Sequence, residues 1–191
     1  MEGCRLAVND LACRRGDRVL FRGLSFELVA GEALQVVGPN GTGKSSLLRI
    51  LAGLLGPFAG TVQRSGAIGL VDERPALDEH LPLGRALEFW ARIDAPAPPA
   101  PDLGLDPLMD VPVRFLSTGQ RKRAALARLV GQRAPVWLLD EPLNGLDTQA
   151  ARTCEALVAE HCARGGLAVI ASHQPFALPG LRALAIADFV A

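Results

Sequence analysis

Short, partly alternating apolar runs fill the first 37 residues of the chain and are interrupted at Gly16, Gly23 and Gly31. Alternation between apolar and polar residues is typical of half-buried strands, and glycines between such runs are typical of turns. The runs are Leu6–Val8, Val19–Phe21, Leu24–Phe26 and Leu34–Val37. We therefore predict strands here, joined by turns at the glycines.

The apolar spacing changes after Ser45, where leucine and isoleucine recur at helical intervals as far as Leu54. This period predicts an amphipathic helix that Gly56-Pro57 ends. Ile68–Val71 predicts another strand. Further helices are predicted at Leu83–Ile93, Asp106–Met109 and Thr118–Val130.

Val136–Asp140 and Ala168–Ser172 are short, unbroken apolar runs, as expected of buried parallel strands between helices. The proline-rich stretch Ala95–Pro101 cannot form a regular helix and is predicted to be a surface linker. The sequence has no internal repeat. The whole pattern predicts an α/β fold in one domain over 1–191, with a parallel core sheet, an antiparallel N-terminal edge and a small helical insertion near 75–130.

Composition narrows the class of protein. The chain carries 20 basic and 20 acidic side chains, so a basic field over the whole surface, suited to nucleic acid, is not indicated. No apolar run approaches the roughly 20 residues that span a bilayer, and the N-terminus lacks the apolar core of a signal peptide. The cysteines form no C-x-x-C pair and are predicted to be small, reduced hydrophobic residues. We expect a cytosolic protein.

A glycine-rich segment between a predicted strand and a predicted helix matches the pattern G-x-x-x-x-G-K-[ST]. Its glycines let backbone N–H groups point at phosphate oxygens, and the helix N-terminus adds positive potential. Lys44 is placed to bridge the β- and γ-phosphates of ATP, and the Ser45 hydroxyl to bind Mg²⁺. The predicted nucleotide-binding residues of this loop are Gly38, Pro39, Asn40, Gly41, Thr42, Gly43, Lys44, Ser45 and Ser46.

An apolar strand that ends in two acids follows later in the chain. Asp140, at the carboxyl end of that strand, is placed to hold Mg²⁺, usually through water. Glu141, the next residue, can polarise the attacking water as a general base. By itself the pattern also fits a strand that runs into a polar turn, but beside a phosphate loop it predicts hydrolysis.

Phe115-Leu-Ser-Thr-Gly-Gln120 resembles the signature motif of the ATP-binding-cassette (ABC) ATPases and leads into a helix. It is a second glycine-containing helix N-terminus and therefore a second anion site, although a simple helix capped by Ser117 is the alternative. The resemblance implies that Ser117, Gly119 and Gln120 cap the nucleotide held by the opposite protomer. It thus implies a homodimer that binds ATP and Mg²⁺.

Other family features follow in order along the chain. Asn144-Gly-Leu-Asp147 resembles the loop that touches the other protomer, here called the D-loop. His173, at the end of a predicted strand, falls where the family has the histidine that senses the γ-phosphate. The resemblance therefore implies Lys44, Glu141 and His173 as the catalytic residues. The other histidines, His80 and His161, lack such context and are predicted to lie on the surface.

The sequence departs from the family pattern at two positions. Glu73 stands where the family has a glutamine near Mg²⁺, so a carboxylate replaces an amide, and we predict Ser45, Asp140 and Glu73 as the residues around the metal. Arg15 stands near the position of the aromatic residue that stacks on adenine. Its planar guanidinium group is a candidate for the same stacking role.

A finer resemblance is to the ATPase subunits of bacterial haem exporters of cytochrome c maturation. It is carried by segments spread over the chain: Gly23–Phe26, Ala30–Glu32, Leu47–Gly53, Phe89–Arg92, Leu138–Asn144 and Ser172–Pro175. It implies integral membrane partners, a peripheral position on the cytoplasmic face of the bacterial inner membrane, and ATP hydrolysis that powers haem export or release of a haem-loaded chaperone. No nucleic-acid partner is expected.

Other readings remain open at this point. An ABC transporter for another substrate would share these motifs, and so would a soluble ABC ATPase that acts on ribosomes or DNA. A P-loop small-molecule kinase would have no use for the Ser117 loop or Glu141. An inactive binding module is disfavoured because Lys44, Asp140, Glu141 and His173 are all present.

Overall fold

The computed structural model describes residues 3–94 and 102–190, so the predicted linker Ala95–Pro101 lies outside the described residues. The elements along the chain are β1 (Arg5–Arg15), β2 (Arg18–Val29), β3 (Ala33–Val37), α1 (Lys44–Leu51), β4 (Ala59–Ser65), β5 (Ile68–Val71), α2 (Leu83–Ile93), α3 (Thr118–Gln132), β6 (Val136–Asp140), α4 (Thr148–Ala163), β7 (Leu167–Ala171) and β8 (Arg182–Ala185). Short 3₁₀ turns lie at Asp106–Leu108, Val113–Phe115 and Ile186–Phe189.

The strands form two sheets. An antiparallel sheet has the order β2-β1-β4, and a parallel sheet has the order β5-β6-β7-β3-β8. In the parallel sheet, β6 and β7 are buried along their whole length, as their unbroken apolar sequences predict. The carboxyl ends of β3, β6 and β7 therefore lie side by side at one edge, which is where ligands bind in open α/β sheets.

The apolar core lies on both faces of the parallel sheet because side chains alternate along each strand. Leu139 and Ile170 belong to the cluster that includes α3 and α4. Their neighbours Leu138 and Val169 belong to the cluster that includes α1 and the antiparallel sheet. The sheet is thus covered by α3 and α4 on one face and by α1 with the N-terminal strands on the other.

Several predicted details are wrong. Gly23 does not form a turn but lies inside β2. The pairing of β2 with β1 shifts register at this point, which is typical of a β-bulge. The predicted helix at Asp106–Met109 is a 3₁₀ turn over Asp106–Leu108. The first helix ends at Leu51, earlier than the predicted Leu54.

Two strands were not predicted, β4 and β8, and both are edge strands in which no residue is fully buried. Their sequences carry no apolar alternation because neither face of an exposed edge strand needs to be apolar along its length. Among the described helices, none combines the length and the apolarity that crossing a membrane requires.

The cysteines agree with the prediction of reduced hydrophobic residues. Cys4, Cys13, Cys154 and Cys162 are free and buried. Burial raises the pKa of Cys154 to about 12, so this thiol stays protonated and is a poor nucleophile at neutral pH.

Candidate nucleotide-binding site

The predicted phosphate loop connects the carboxyl end of β3 to Lys44, the first residue of α1. Gly43, just before the helix, has φ 107°, and a Cβ there would lie 3.1 Å from the Phe21 ring and 3.2 Å from Leu20. The first turn of α1 contains no acidic residue, so no carboxylate competes with an anion for the positive end of the helix. The loop thus offers a tightly packed backbone turn and the positive electrostatic potential of a helix N-terminus, both of which suit phosphate binding.

Lys44 is held at the loop by its own backbone. The side chain is 6% exposed, and Nζ donates hydrogen bonds to the carbonyl oxygens of Gly38 at 2.7 Å and Pro39 at 3.2 Å. Nζ also lies 3.7 Å from Oε1 of Glu141. A phosphate oxygen would be a stronger acceptor than these neutral carbonyls because the hydrogen bond would join two charged groups.

A cavity of about 370 Å³ lies beside the loop, within the size range of small-molecule sites. It brings together five separate segments of the chain. Predicted residues that line it are Asn40, Gly41, Gly43, Lys44, Ser45, Ser46, Glu73, Glu141 and His173. Leu20 and Asn144, which were not predicted to bind nucleotide, complete the lining. Gly38, Pro39 and Thr42 shape the loop instead, and the Thr42 hydroxyl donates to the Pro39 carbonyl at 2.8 Å.

Asp140 lies directly behind this cavity at the end of β6. It is 5% exposed, and its Oδ1 is buried without a hydrogen-bond partner. Burial raises the pKa of Asp140, while a hydrogen bond from Ser45 acts in the opposite direction. A divalent cation would satisfy the unpaired oxygen and favour the charged carboxylate. The hydroxyl and carboxylate oxygens present here therefore fit Mg²⁺.

Glu141 has a left-handed backbone, with φ 45°. This conformation costs about 1–2 kcal/mol for a residue with a Cβ, and such strain is concentrated at functional sites. The backbone is fixed by a hydrogen bond from Glu141 N to the Ala171 carbonyl at 2.8 Å. The side chain is fixed by His173, whose Nδ1 lies 2.9 Å from Glu141 Oε2. The strained turn thus aims this carboxylate into the cavity.

A buried lysine that was not predicted stands behind the two acids. Lys122 is 8% exposed, and its Nζ donates to the backbone carbonyl of Asp140 at 3.2 Å. Burial lowers the pKa of Lys122, while Asp140, Asp72 and Glu73 act in the opposite direction. Lys122 lines the same cavity as Glu73, the residue at which the chain departs from the family. A sequence signal existed, since Lys44 and Lys122 are the only lysines of the chain.

The predicted signature residues do not line the cavity in the same chain. Ser117 caps α3 in a reciprocal arrangement: its Oγ accepts from Gln120 N at 3.3 Å, and Gln120 Oε1 accepts from Ser117 N at 2.8 Å. Gly119 packs against the carbonyl of Gly145 in the D-loop, so a Cβ would overlap that oxygen. The cap and the predicted second anion site occupy the same helix end.

The remaining predicted residues lie around this centre. Asp147 caps α4, where its Oδ1 accepts from Ala150 N at 2.8 Å. Arg15 is the exposed last residue of β1 and lies outside the lining of the cavity. His80 is exposed, as predicted. The surface prediction for His161 is wrong: the ring is half-buried, and Nε2 lies 3.2 Å from the Pro135 carbonyl oxygen.

A phosphate loop after one parallel strand, paired acids after another and a second glycine-bearing helix end are the features of an ABC-type ATPase. Residues 21–144, more than half of the chain, match the family model described as ABC transporter. The chain is 62% identical over 189 residues to the cytochrome c biogenesis ATP-binding export protein CcmA of Novosphingobium aromaticivorans, covering 99% of each chain. It is 49% identical to the protein of that name from Zymomonas mobilis, covering 98% of this chain and 86% of that one.

Two solved structures show the same fold. An ATP-binding subunit of an ABC transporter has a TM-score of 0.79 at 23% identity, covering 88% of this chain and 79% of that one. A dimeric, post-hydrolysis ATP-binding cassette bound to ADP and Pi has a TM-score of 0.75 at 20% identity, covering 88% of each chain. The chain therefore belongs to the ABC transporter ATPases and, within them, to the cytochrome c biogenesis ATP-binding export proteins. It is an ATP-hydrolysing subunit, and the predicted fold class is confirmed.

Proposed function

We propose that this chain, a single cassette over 1–191 with its helical insertion near 75–130, works as a head-to-tail homodimer. The dimer hydrolyses MgATP and drives integral membrane subunits in cytochrome c maturation. The observation that carries the proposal is the arrangement of the two anion sites. Lys44, Glu141 and His173 converge on one cavity, whereas the Ser117 helix end stands outside it. A second chain is needed to bring both sites onto one nucleotide.

The chemistry follows from the contacts of the cavity. Phosphate oxygens take over the Lys44 ammonium group from the loop carbonyls, and the N–H groups at the start of α1 bind the remaining oxygens. Ser45 and Asp140, with Glu73 nearby, would hold Mg²⁺, and the ion would neutralise phosphate charge. Glu141 orients the attacking water and accepts its proton, while His173 holds Glu141 and faces the γ-phosphate.

Closure of the dimer depends on the γ-phosphate. Ser117, Gly119 and Gln120 of one chain would contact the nucleotide in the other, and ADP lacks the group that they bind. Hydrolysis therefore removes the interaction that favours the closed pair, which then reopens. Each cycle of ATP hydrolysis thus converts the loss of the γ-phosphate into a movement of the helical insertion near 75–130.

A groove near Glu73 offers a site for the membrane partner. It measures about 370 Å³ and is lined on its apolar side by Leu54, Leu70 and Leu77. Leu54 is 69% exposed, and Asp72 and Pro75 line both this groove and the cavity around Lys122. An apolar helix end of a membrane subunit seated here would sense movement of the Glu73 segment. A chain docked in this way would be a peripheral subunit on the cytoplasmic face of the inner membrane.

The names of the relatives favour export in cytochrome c biogenesis, and haem or release of a haem-loaded chaperone is the cargo step we propose. A transporter for another substrate would keep every site residue described above. A soluble ABC ATPase that acts on ribosomes or DNA would keep the cavity but have no membrane partner. Mass spectrometry of the partners separates these functions.

The test is purification of the chain from a detergent extract of its native host, with identification of co-purifying proteins. We expect polytopic haem-exporter subunits and an ATPase activity that Glu141→Gln lowers by roughly a hundredfold. Glu79→Gln, an exposed glutamate outside the cavity, is the matched control and retains activity. Recovery of an unrelated permease would overturn the haem assignment, and recovery of ribosomal proteins alone would overturn the transport function.

A further inference from the structure

Gln174 directly follows His173 and binds three neighbouring segments. Its backbone N donates to the Ser172 hydroxyl at 3.0 Å. Its carbonyl oxygen accepts from Nε2 of Gln35 on β3 at 2.7 Å. Its side-chain Nε2 donates to Oδ1 of Asn144, in the D-loop, at 3.2 Å. The residue thus touches the strand that leads to the phosphate loop, the end of β7 and the D-loop.

These contacts close a ring of bonds at the edge of the nucleotide cavity, which Glu141, Asn144 and His173 line. Glu141 Oε2 meets His173 Nδ1 at 2.9 Å, and His173 is covalently followed by Gln174. Gln174 bonds to the Asn144 side chain, and Asn144 N donates to the Glu141 carbonyl oxygen at 3.2 Å. Only one link of the ring, the amide–amide bond between Gln174 and Asn144, joins the His173 segment to the D-loop.

We propose that Gln174 is a positioning residue for ATP hydrolysis, which couples the D-loop to His173. A movement of the D-loop, which the partner protomer contacts in the proposed dimer, would be transmitted through Asn144 and Gln174 to the histidine that holds Glu141. This inference rests on the proposed function because it requires His173 and Glu141 to act in hydrolysis. It adds a residue whose side chain does not line the nucleotide cavity.

The geometry separates this role from a structural one. The contacts of Gln174 with Gln35 and Ser172 use its backbone, so substitution of the side chain leaves them in place. Gln35 and Ser172 are buried, at 7% and 1% exposure, and hold the backbone of the segment. A Gln174→Ala variant therefore loses the link to Asn144 and retains the anchors that keep the segment folded.

The test compares wild type with Gln174→Ala, Asn144→Ala and the double variant, using the full chain in the complex recovered above or by itself. We expect Gln174→Ala to lower kcat roughly tenfold, as slight misplacement of a catalytic group does. The KM for ATP and the binding of a fluorescent ATP analogue should change less than about twofold, since phosphate contacts are intact. The double variant should be no slower than Asn144→Ala, because both substitutions remove the same bond.

Gln63→Ala is the matched control. Gln63 is an exposed glutamine on β4, in the antiparallel sheet, and it lines neither the nucleotide cavity nor the groove near Glu73. We expect its kcat to equal that of wild type. Fully additive losses of kcat in the double variant, or an unchanged kcat in Gln174→Ala, would overturn the inference. In either case, ATP hydrolysis by the wild-type chain would leave the proposed function intact. A wild-type chain that binds ATP without hydrolysing it would overturn both.

Discussion

Trp137 and His161 stack face to face, with ring centroids 3.9 Å apart and 8° between the ring planes. His161 Nε2 lies 3.2 Å from the carbonyl oxygen of Pro135 and 3.3 Å from that of Leu167. These carbonyls stand at the amino ends of β6 and β7, so the stacked pair joins α4 to the parallel sheet at the edge opposite the nucleotide cavity. Burial lowers the pKa of His161 from 6.5, although both carbonyls act in the opposite direction.

The burial of His161 predicts that the folded chain loses stability in acid. Because the pKa of His161 is lower in the folded chain than in the unfolded chain, the unfolded chain takes up the proton first as the pH falls below 6.5. The free energy of unfolding should therefore be independent of this residue above that pH. It should decrease as the pH falls from there to the folded pKa.

Urea unfolding across this pH range provides the measurement. His161→Phe keeps an aromatic ring on Trp137 but cannot be protonated, so its stability should depend less on pH than that of wild type. We expect it to lose about 1 kcal/mol near neutrality through the missing hydrogen bond. The exposed His80→Phe variant is the control and should retain the wild-type pH dependence. Equal pH dependence in wild type and His161→Phe would contradict the assignment.

Glu73→Gln restores the amide that the family has at this position, and we expect it to weaken Mg²⁺ binding. One carboxylate is removed from the surroundings of Asp140 while Lys122 keeps its charge, so the Mg²⁺ concentration for half-maximal ATPase should rise roughly tenfold. Titration of ATPase activity with Mg²⁺ at saturating ATP measures this. Asp72→Asn removes an equal charge from the adjoining position and should have a smaller effect. A similar shift in both variants would show that overall charge, and not Glu73 itself, matters.

His173→Ala should lower kcat by roughly a hundredfold, the scale of a lost partner in general acid–base catalysis. Its Nδ1 is the hydrogen-bond partner that fixes Oε2 of Glu141, whereas Lys44 and the loop proposed to bind ATP are unchanged. Steady-state kinetics with an independent ATP-binding titration separate the two effects. His80→Ala should match wild type, and a weakened ATP affinity in His173→Ala without loss of kcat would contradict the role.

Arg15 provides a test of base recognition. Arg15→Ala should weaken ATP binding roughly threefold, the scale of an exposed stacking contact between a cation and a ring, and Arg15→Tyr should restore it. The neighbouring Arg14 stacks on the Phe58 ring at 4.6 Å, so Arg14→Ala is a control of the same type and position. Competition binding of ATP against inorganic triphosphate reports the base contribution. An unchanged preference for ATP in Arg15→Ala would show that another residue contacts adenine.

Elements with a strong local pattern were predictable from the sequence. The bounds of β5, α2 and β6 agree with the apolar periodicity, since each of these segments buries one face or its whole length in the core. The edge strands β4 and β8 escaped prediction because exposed edges place no constraint on apolar alternation. The bulge at Gly23 was not predicted because a glycine in the sequence is equally compatible with a turn and with a distorted strand.

The sequence by itself determined the phosphate loop and the acids after β6, because the residues that make each of them are adjacent in the chain. It also determined the helix end at Ser117, whose capping partner is three residues away. The tertiary structure decided which distant groups meet. Lys122 reaches Asp140, Gln174 reaches Asn144 and His161 reaches Trp137 only after the strands have paired, since these contacts depend on sheet order and helix packing and leave no fixed spacing in the sequence.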